Sequence, residues 1–136
     1  MTHTMSLNAN WMVDYFEKEP DLFEFAPAGQ SVPLLSAWRC SDRFDTGWAA
    51  WLMHTFYLEP TDDCVSYVLK LISTPGPVTL YVNGRRMGEL DGDGGFEFDI
   101  TDYVALEDNW IAFRVDCAPG EDRRFAGVRI TAIPCA

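Results

Sequence analysis

The strongest constraint in this chain is a spacing of two. Apolar side chains recur at alternate positions through Val65, Tyr67, Leu69 and Leu71, through Phe96, Phe98 and Ile100, and through Ile111, Phe113, Val115 and Cys117. Successive side chains of an extended strand point to opposite faces, so this spacing builds half-buried strands and denies a helix its apolar stripe. The same alternation sets Trp11, Val13 and Tyr15 on one face of an early strand, and Leu52, His54, Phe56 and Leu58 on one face of a strand from Ala50 to Leu58.

Turn residues punctuate these runs. Neither proline of Pro75-Gly76-Pro77 can donate a ladder hydrogen bond, so a turn is expected between strands ending at Ile72 and starting at Val78. Asn83-Gly84 accepts the positive φ angles of a type I′ hairpin and pairs Val78–Val82 with a returning strand from Arg86 to Leu90. Leu22 to Phe25 reads as a short strand, and Ala26 to Arg43, with Pro27, Gly29 and Pro33, as an irregular excursion. Thr101 or Asp102 is placed to cap a single helical turn through Tyr103-Val104, and Val128 to Ile133 forms the last strand. Eight or nine short strands without a helical pattern or an internal repeat describe an all-β fold, read here as a jelly-roll β-sandwich.

At 136 residues the chain fits a single domain, residues 1–136, with residues 1–7 expected as a flexible tail. Twenty-one acidic against ten basic residues give a net charge of −11. That field repels phosphate backbones and anionic lipid, so neither nucleic acid nor a membrane is an expected partner. The opening MTHTMSLNANWMV has no basic segment followed by an apolar run, and no stretch is long enough to cross a bilayer. A soluble, cytoplasmic protein is the expectation. Cys40, Cys64, Cys117 and Cys135 are too widely spaced for a zinc knuckle, and only His3 and His54 could add nitrogen ligands. Without an export signal the four cysteines are read as buried or idle thiols.

No catalytic constellation emerges. Asp91/Asp93, Glu97/Asp99 and Asp62/Asp63 are paired carboxylates by count, yet each lies in a turn or on an outward face, where water keeps both acids ionised and no general acid can form. His54 sits on an apolar strand face and is read as a core histidine satisfied by one backbone bond. The glycine-rich Asp91-Gly92-Asp93-Gly94-Gly95 offers Asp91 and Asp93 as calcium candidates, but it lacks the further oxygens at loop spacing that calcium wants; the reading taken is a solvated hairpin bend, with no cofactor. Arg85-Arg86, Arg123-Arg124 and Arg39 are read as solvated cations. Trp38, beside Arg39, and Trp48, after Asp45-Thr46-Gly47, fall in expected loops, where an indole face with polar neighbours suits a pyranose ring. Trp38, Arg39, Asp42, Trp48 and Asp116 are the candidate ligand-binding residues. The competing reading is that these tryptophans lid the ends of the sandwich. Trp110 opposes the Ile111/Phe113 face, so one of the two faces must be covered by a loop or a partner.

The order Trp11; Val32-Pro33; Trp38; Gly47; Trp51; Phe56; Val82-Asn83-Gly84…Gly88; Phe96…Phe98-Asp99-Ile100-Thr101; Asn109-Trp110-Ile111; Gly127-Val128 resembles the N-terminal sugar-binding domain of family-2 glycoside hydrolases, the β-galactosidase and β-glucuronidase family. The similarity runs from about Leu7 to Pro134. It departs at Leu52-Met53-His54, where the family commonly carries an aromatic–Arg pair, and in the short loop from Ala118 to Arg124. The resemblance implies a galactose-binding-like jelly roll that lies beside a separate catalytic barrel and is itself non-catalytic. The implied partners are a saccharide or, in the alternative, a protein, including a second copy of the chain.

Overall fold

The computed structural model describes residues 3–17, 30–39, 47–116 and 125–135, apart from the side chains at positions 75, 93 and 94. Among the described residues eight strands run in the order β1 (His3–Ser6), β2 (Ala9–Phe16), β3 (Gln30–Leu34), β4 (Ala49–Leu58), β5 (Val65–Val82), β6 (Arg85–Asp99), β7 (Glu107–Asp116) and β8 (Ala126–Pro134), with one 3-10 turn over Leu35–Ala37. Every pairing is antiparallel. The alternation read from the sequence is therefore the alternation of a two-layered sandwich, with the layers joined in an unexpected way.

The joint is the β5–β6 hairpin. Val78–Val82 of β5 pairs with β7, and the first part of β6 pairs back onto it, which completes a six-stranded layer in the order β3-β2-β4-β7-β5-β6. Val65–Ser73 of the same β5 pairs with β8, and the second part of β6 flanks it, giving a four-stranded layer in the order β1-β8-β5-β6. One ribbon thus belongs to both layers and turns the corner between them. The ladder slips between Leu71 and Ser73 and again between Ser73 and Pro77. The expected turn at Pro75-Gly76-Pro77 is therefore a corner within a continuous strand. Prolines fit there because the register is already broken, so a missing N–H costs no ladder bond. Thr74, 2% exposed, holds the bend: its hydroxyl donates to the Gly76 carbonyl at 2.6 Å and accepts from the Gly92 N–H at 2.9 Å. Gly76, Gly92 and Gly95 take the positive φ angles that the corner needs.

At its far tip the hairpin closes as Asn83-Gly84 predicts, with φ of 49° and 84°. The Asn83 side chain does more than tolerate that angle. Its Nδ2 donates to the Tyr103 carbonyl and to Asn109 Oδ1, both at 2.8 Å, while its Oδ1 accepts from the Trp110 N–H at 2.9 Å. Asn109, 3% exposed, in turn holds both backbone groups of Ala105, so the tip is tied to the start of β7.

Between the layers, Trp11, Phe113, Phe125 and Trp38 form a column, with ring centroids 5.4, 4.9 and 6.1 Å apart in turn. The inward residues expected of β4, β5 and β7 (Leu52, Phe56, Leu58; Tyr67, Leu69, Leu71; Ile111, Phe113, Val115) are buried around it. His54, expected in the core, is only partly buried: it lies edge-on to Trp11, with Nδ1 against the Thr55 carbonyl.

Four expectations are corrected. Part of the irregular excursion is ordered: Gln30–Leu34 pairs with β2, since Val32 buries opposite Trp11 and Pro33 is tolerated on an edge strand. The short strand expected over residues 22–25 lies outside the described residues. The tail expected over residues 1–7 supplies β1, which pairs with β8 and turns Met5 toward the core, while Leu7 is buried. Cys64 and Cys135 are not idle thiols: they flank the paired positions Val65 and Pro134, and that register brings their Cα atoms to 5.3 Å in a disulfide. Thr101–Tyr103 forms a turn rather than a capped helix, with the Thr101 hydroxyl and N–H both bonded to Asp99 Oδ1.

Candidate functional site

The described ligand-binding candidates divide between two places. Trp38 follows the 3-10 turn and inserts its indole between the layers against Phe125; it is 8% exposed and part of the core. Its remaining surface floors a groove of about 380 Å³ along the edge strand β3, shared with Tyr15, Gln30, Ser31 and Arg39. Tyr15 closes one wall because β2 turns its odd-numbered residues inward, and Gln30 begins β3 opposite Val13. An aromatic wall, an amide, a hydroxyl and a guanidinium thus converge on one concave strip.

Asp116 lies on the other side of the six-stranded layer. It ends β7 opposite Ala49, and Arg114 reaches its carboxylate at 3.3 Å. Trp48, half-buried, stands one residue ahead of Ala49. Backbone register therefore brings Trp48 and Asp116 to the same end of the sheet, while Trp38 and Arg39 serve the groove. Asp42 lies outside the described residues.

The outward face behind Asp116 carries a cluster that the alternation alone does not identify. Trp51 and Tyr81, 0% and 5% exposed, pack with ring centroids 5.1 Å apart beside Ala49 and Ala112, and Phe16 and Trp110 lean on them. This is the cover that the second face of β7 requires. The signal was present in Trp51 and Trp110, which the register places on one face through Thr55 opposite Trp110 and Trp51 opposite Arg114.

The calcium candidates occupy the corner. Asp91 is exposed, and the Asp93 side chain lies outside the described residues. Among the described residues no group of three or more His, Cys, Asp or Glu could hold a metal. Of the paired acids, Glu97 is within 4.0 Å of Lys70 and is exposed. Asp99, also exposed, is held below the ordinary carboxylate range, first by the Thr101 hydroxyl and then by the Thr101 N–H. A general acid needs the opposite shift, so Asp99 is unsuited to that role. Arg86 pairs with Glu89 at 3.0 Å and Arg85 lies over Tyr103, whereas Arg123 and Arg124 are outside the described residues.

No protein-family model and no curated protein sequence matches the chain. Solved structures do. The fold is that of a segment of the β-glucuronidases. A β-glucuronidase from an uncultured Clostridium species superposes with a TM-score of 0.75 at 17% identity, over 98% of this chain and 29% of that one. Faecalibacterium prausnitzii β-glucuronidase gives a TM-score of 0.76 at 13% identity, over 98% and 32% of the two chains. A calcium-binding mutant of Bacteroides uniformis β-glucuronidase 2 gives 0.75 at 22% identity, over 98% and 18%. The chain thus spans less than a third of the length of these proteins.

Proposed function

We propose that this chain is a non-catalytic carbohydrate-binding domain whose saccharide lies in the groove along β3. The observation that carries this reading is the groove's chemistry. Tyr15 presents a ring to a pyranose face, the Trp38 indole forms the floor, and Gln30 and Ser31 supply donors and acceptors for hydroxyls. The likeness in fold to sugar-processing enzymes supports the class of ligand. Asp99, one of the paired acids, is held below the ordinary carboxylate range, the opposite of what a general acid needs, which supports a role without catalysis. A shallow groove of this size suits affinities from millimolar to micromolar, about 4–8 kcal/mol.

Calorimetry and saturation-transfer NMR against a panel of neutral and uronic saccharides test the reading. Binding that falls at least tenfold in both Gln30→Ala and Ser31→Ala, exposed residues of the groove, with unchanged melting, supports it. No binding to any saccharide at ten-millimolar concentrations (about 3 kcal/mol) ends it. Trp38→Ala is avoided because it would empty the core.

The burial of Trp38 favours a second reading: a sandwich that has lost sugar binding and serves protein contacts, including self-association. Sedimentation that shows a strict monomer across concentration removes the self-associating form.

A further inference from the structure

At the opposite end of β4 from the β3 groove, the two layers part around an apolar mouth of about 700 Å³. Met5, Leu58, Val65, Tyr67 and Ala132 line it, and the Cys64–Cys135 disulfide lies at its rim. A smaller hollow of about 190 Å³ adjoins it, sharing Thr61, Asp63, Val65 and Tyr67 and continuing past Val104 to Leu106. Around both, exposed apolar surface continues on Tyr57 and Leu106, 48% and 50% exposed. Patches of this kind, rimmed by polar groups, mark contact sites.

Among the described residues the rim is mostly acidic, with Arg85 over Tyr103 beside it. Glu59, Asp62, Asp63, Asp102, Glu107 and Asp108 are all exposed on the segments that form this end. Residues 57–69 and 99–113 contain no Lys or Arg. The ion pairs of Lys70, Arg86 and Arg114 lie elsewhere, and among the described residues His3 is the one basic side chain in the lining. A second copy of this chain, with net charge −11, would bring like charge to like. A single ammonium could meet only one part of a rim spread over two separate segments.

We propose that this mouth docks a basic protein segment: an apolar or aromatic anchor enters between the layers while flanking Lys or Arg residues meet the Glu59/Asp63 and Glu107/Asp108 sides. Two adjoining hollows divided at Tyr67 and Asp63 suit a chain with two anchors better than one compact molecule. The site is independent of the saccharide groove.

Fluorescence anisotropy on the full chain tests this, with a fluorescein-labelled peptide that has a Leu-Phe centre and two lysines on each side. The control peptide carries glutamates in place of the lysines. The lysine peptide should bind at least tenfold more tightly than the control, and binding should weaken at least fivefold between 50 and 300 mM salt, on the order expected for screened charges. Glu59→Gln with Asp63→Asn should weaken it about tenfold, because rim charges carry the recognition. Tyr57→Ala should also weaken it, and Lys70→Ala, outside the mouth, should not. Equal affinity for both peptides, no binding of either, or indifference to the Glu59/Asp63 substitutions overturns the proposal. So does decyltrimethylammonium competing as strongly as the peptide, which would make the site one for a small amphiphile.

Discussion

Breaking the Cys64–Cys135 bond should lower stability by about 4 kcal/mol. The two residues are 71 positions apart, and closing a loop of that length removes conformational entropy from the unfolded chain in proportion to the logarithm of its size. Little is lost from the folded side, because both cysteines are exposed and the β5–β8 ladder continues beside them. For a chain of this length, whose unfolding entropy is about 2 cal/mol/K per residue, the loss corresponds to a melting point lower by roughly 15 °C. The assay compares urea unfolding of the oxidised wild type with that of the Cys64→Ser/Cys135→Ser double variant, after non-reducing peptide mapping has recovered the segments around Cys64 and Cys135 as one linked species. Wild type exposed to reductant should unfold like the double variant, and reductant should leave the double variant unchanged. A difference below about 1 kcal/mol, with the linkage confirmed, would refute the loop-entropy reasoning. Failure to recover the linked species would refute the pairing itself.

Asn83→Ala should cost about 2–4 kcal/mol in urea unfolding, since it forces alanine to a φ of 49° and leaves the Tyr103 carbonyl and the Trp110 N–H without their partner. Gly127→Ala should destabilise by about 1–2 kcal/mol: its φ is +61°, and an added Cβ would sit 2.4 Å from Ile72 Cδ1. Adding Ile72→Ala should recover only the steric share, because the backbone angle stays unfavourable. Thr101→Val should raise the pKa of Asp99 toward its ordinary value, read by carboxyl NMR titration, because the hydroxyl is the larger cause of its depression. A depressed folded pKa stabilises above the ordinary aspartate range and loses that contribution as pH falls through it, so the variant's stability should differ least from wild type in strong acid.

How far the sequence could be read depended on whether a residue's role was local. The Asn83-Gly84 hairpin was legible because φ and side chain are set within two residues, and the inward faces of β4, β5 and β7 were legible because alternation is a property of one strand. The corner at Pro75-Gly76-Pro77 was not. A chain reversal and a change of layer have the same local chemistry, and only the pairing of Pro77 with Asp91 and of Ser73 with Asp93 distinguishes them. The disulfide was hidden for the same reason: 71 residues of sequence give no hint that β8 closes on the start of β5. Trp38 looked like a loop aromatic beside an arginine, yet its partner in the core is Phe125, far along the chain. The likeness to glycoside hydrolases held at the level of fold; the described candidate sugar residues, read from loop tryptophans and their polar neighbours, were divided by the structure between an edge groove and an outward face.

The ribbon shared by both layers has a mechanical meaning. A sandwich whose sheets meet only through side chains can slide or gape, but here the backbone itself passes from one sheet into the other at Thr74 and Gly92. Prying the sheets apart would stretch covalent chain as well as expose apolar surface. Along that edge the two sheets are therefore held together by backbone as well as by packing, and a ligand there meets walls tied to one another.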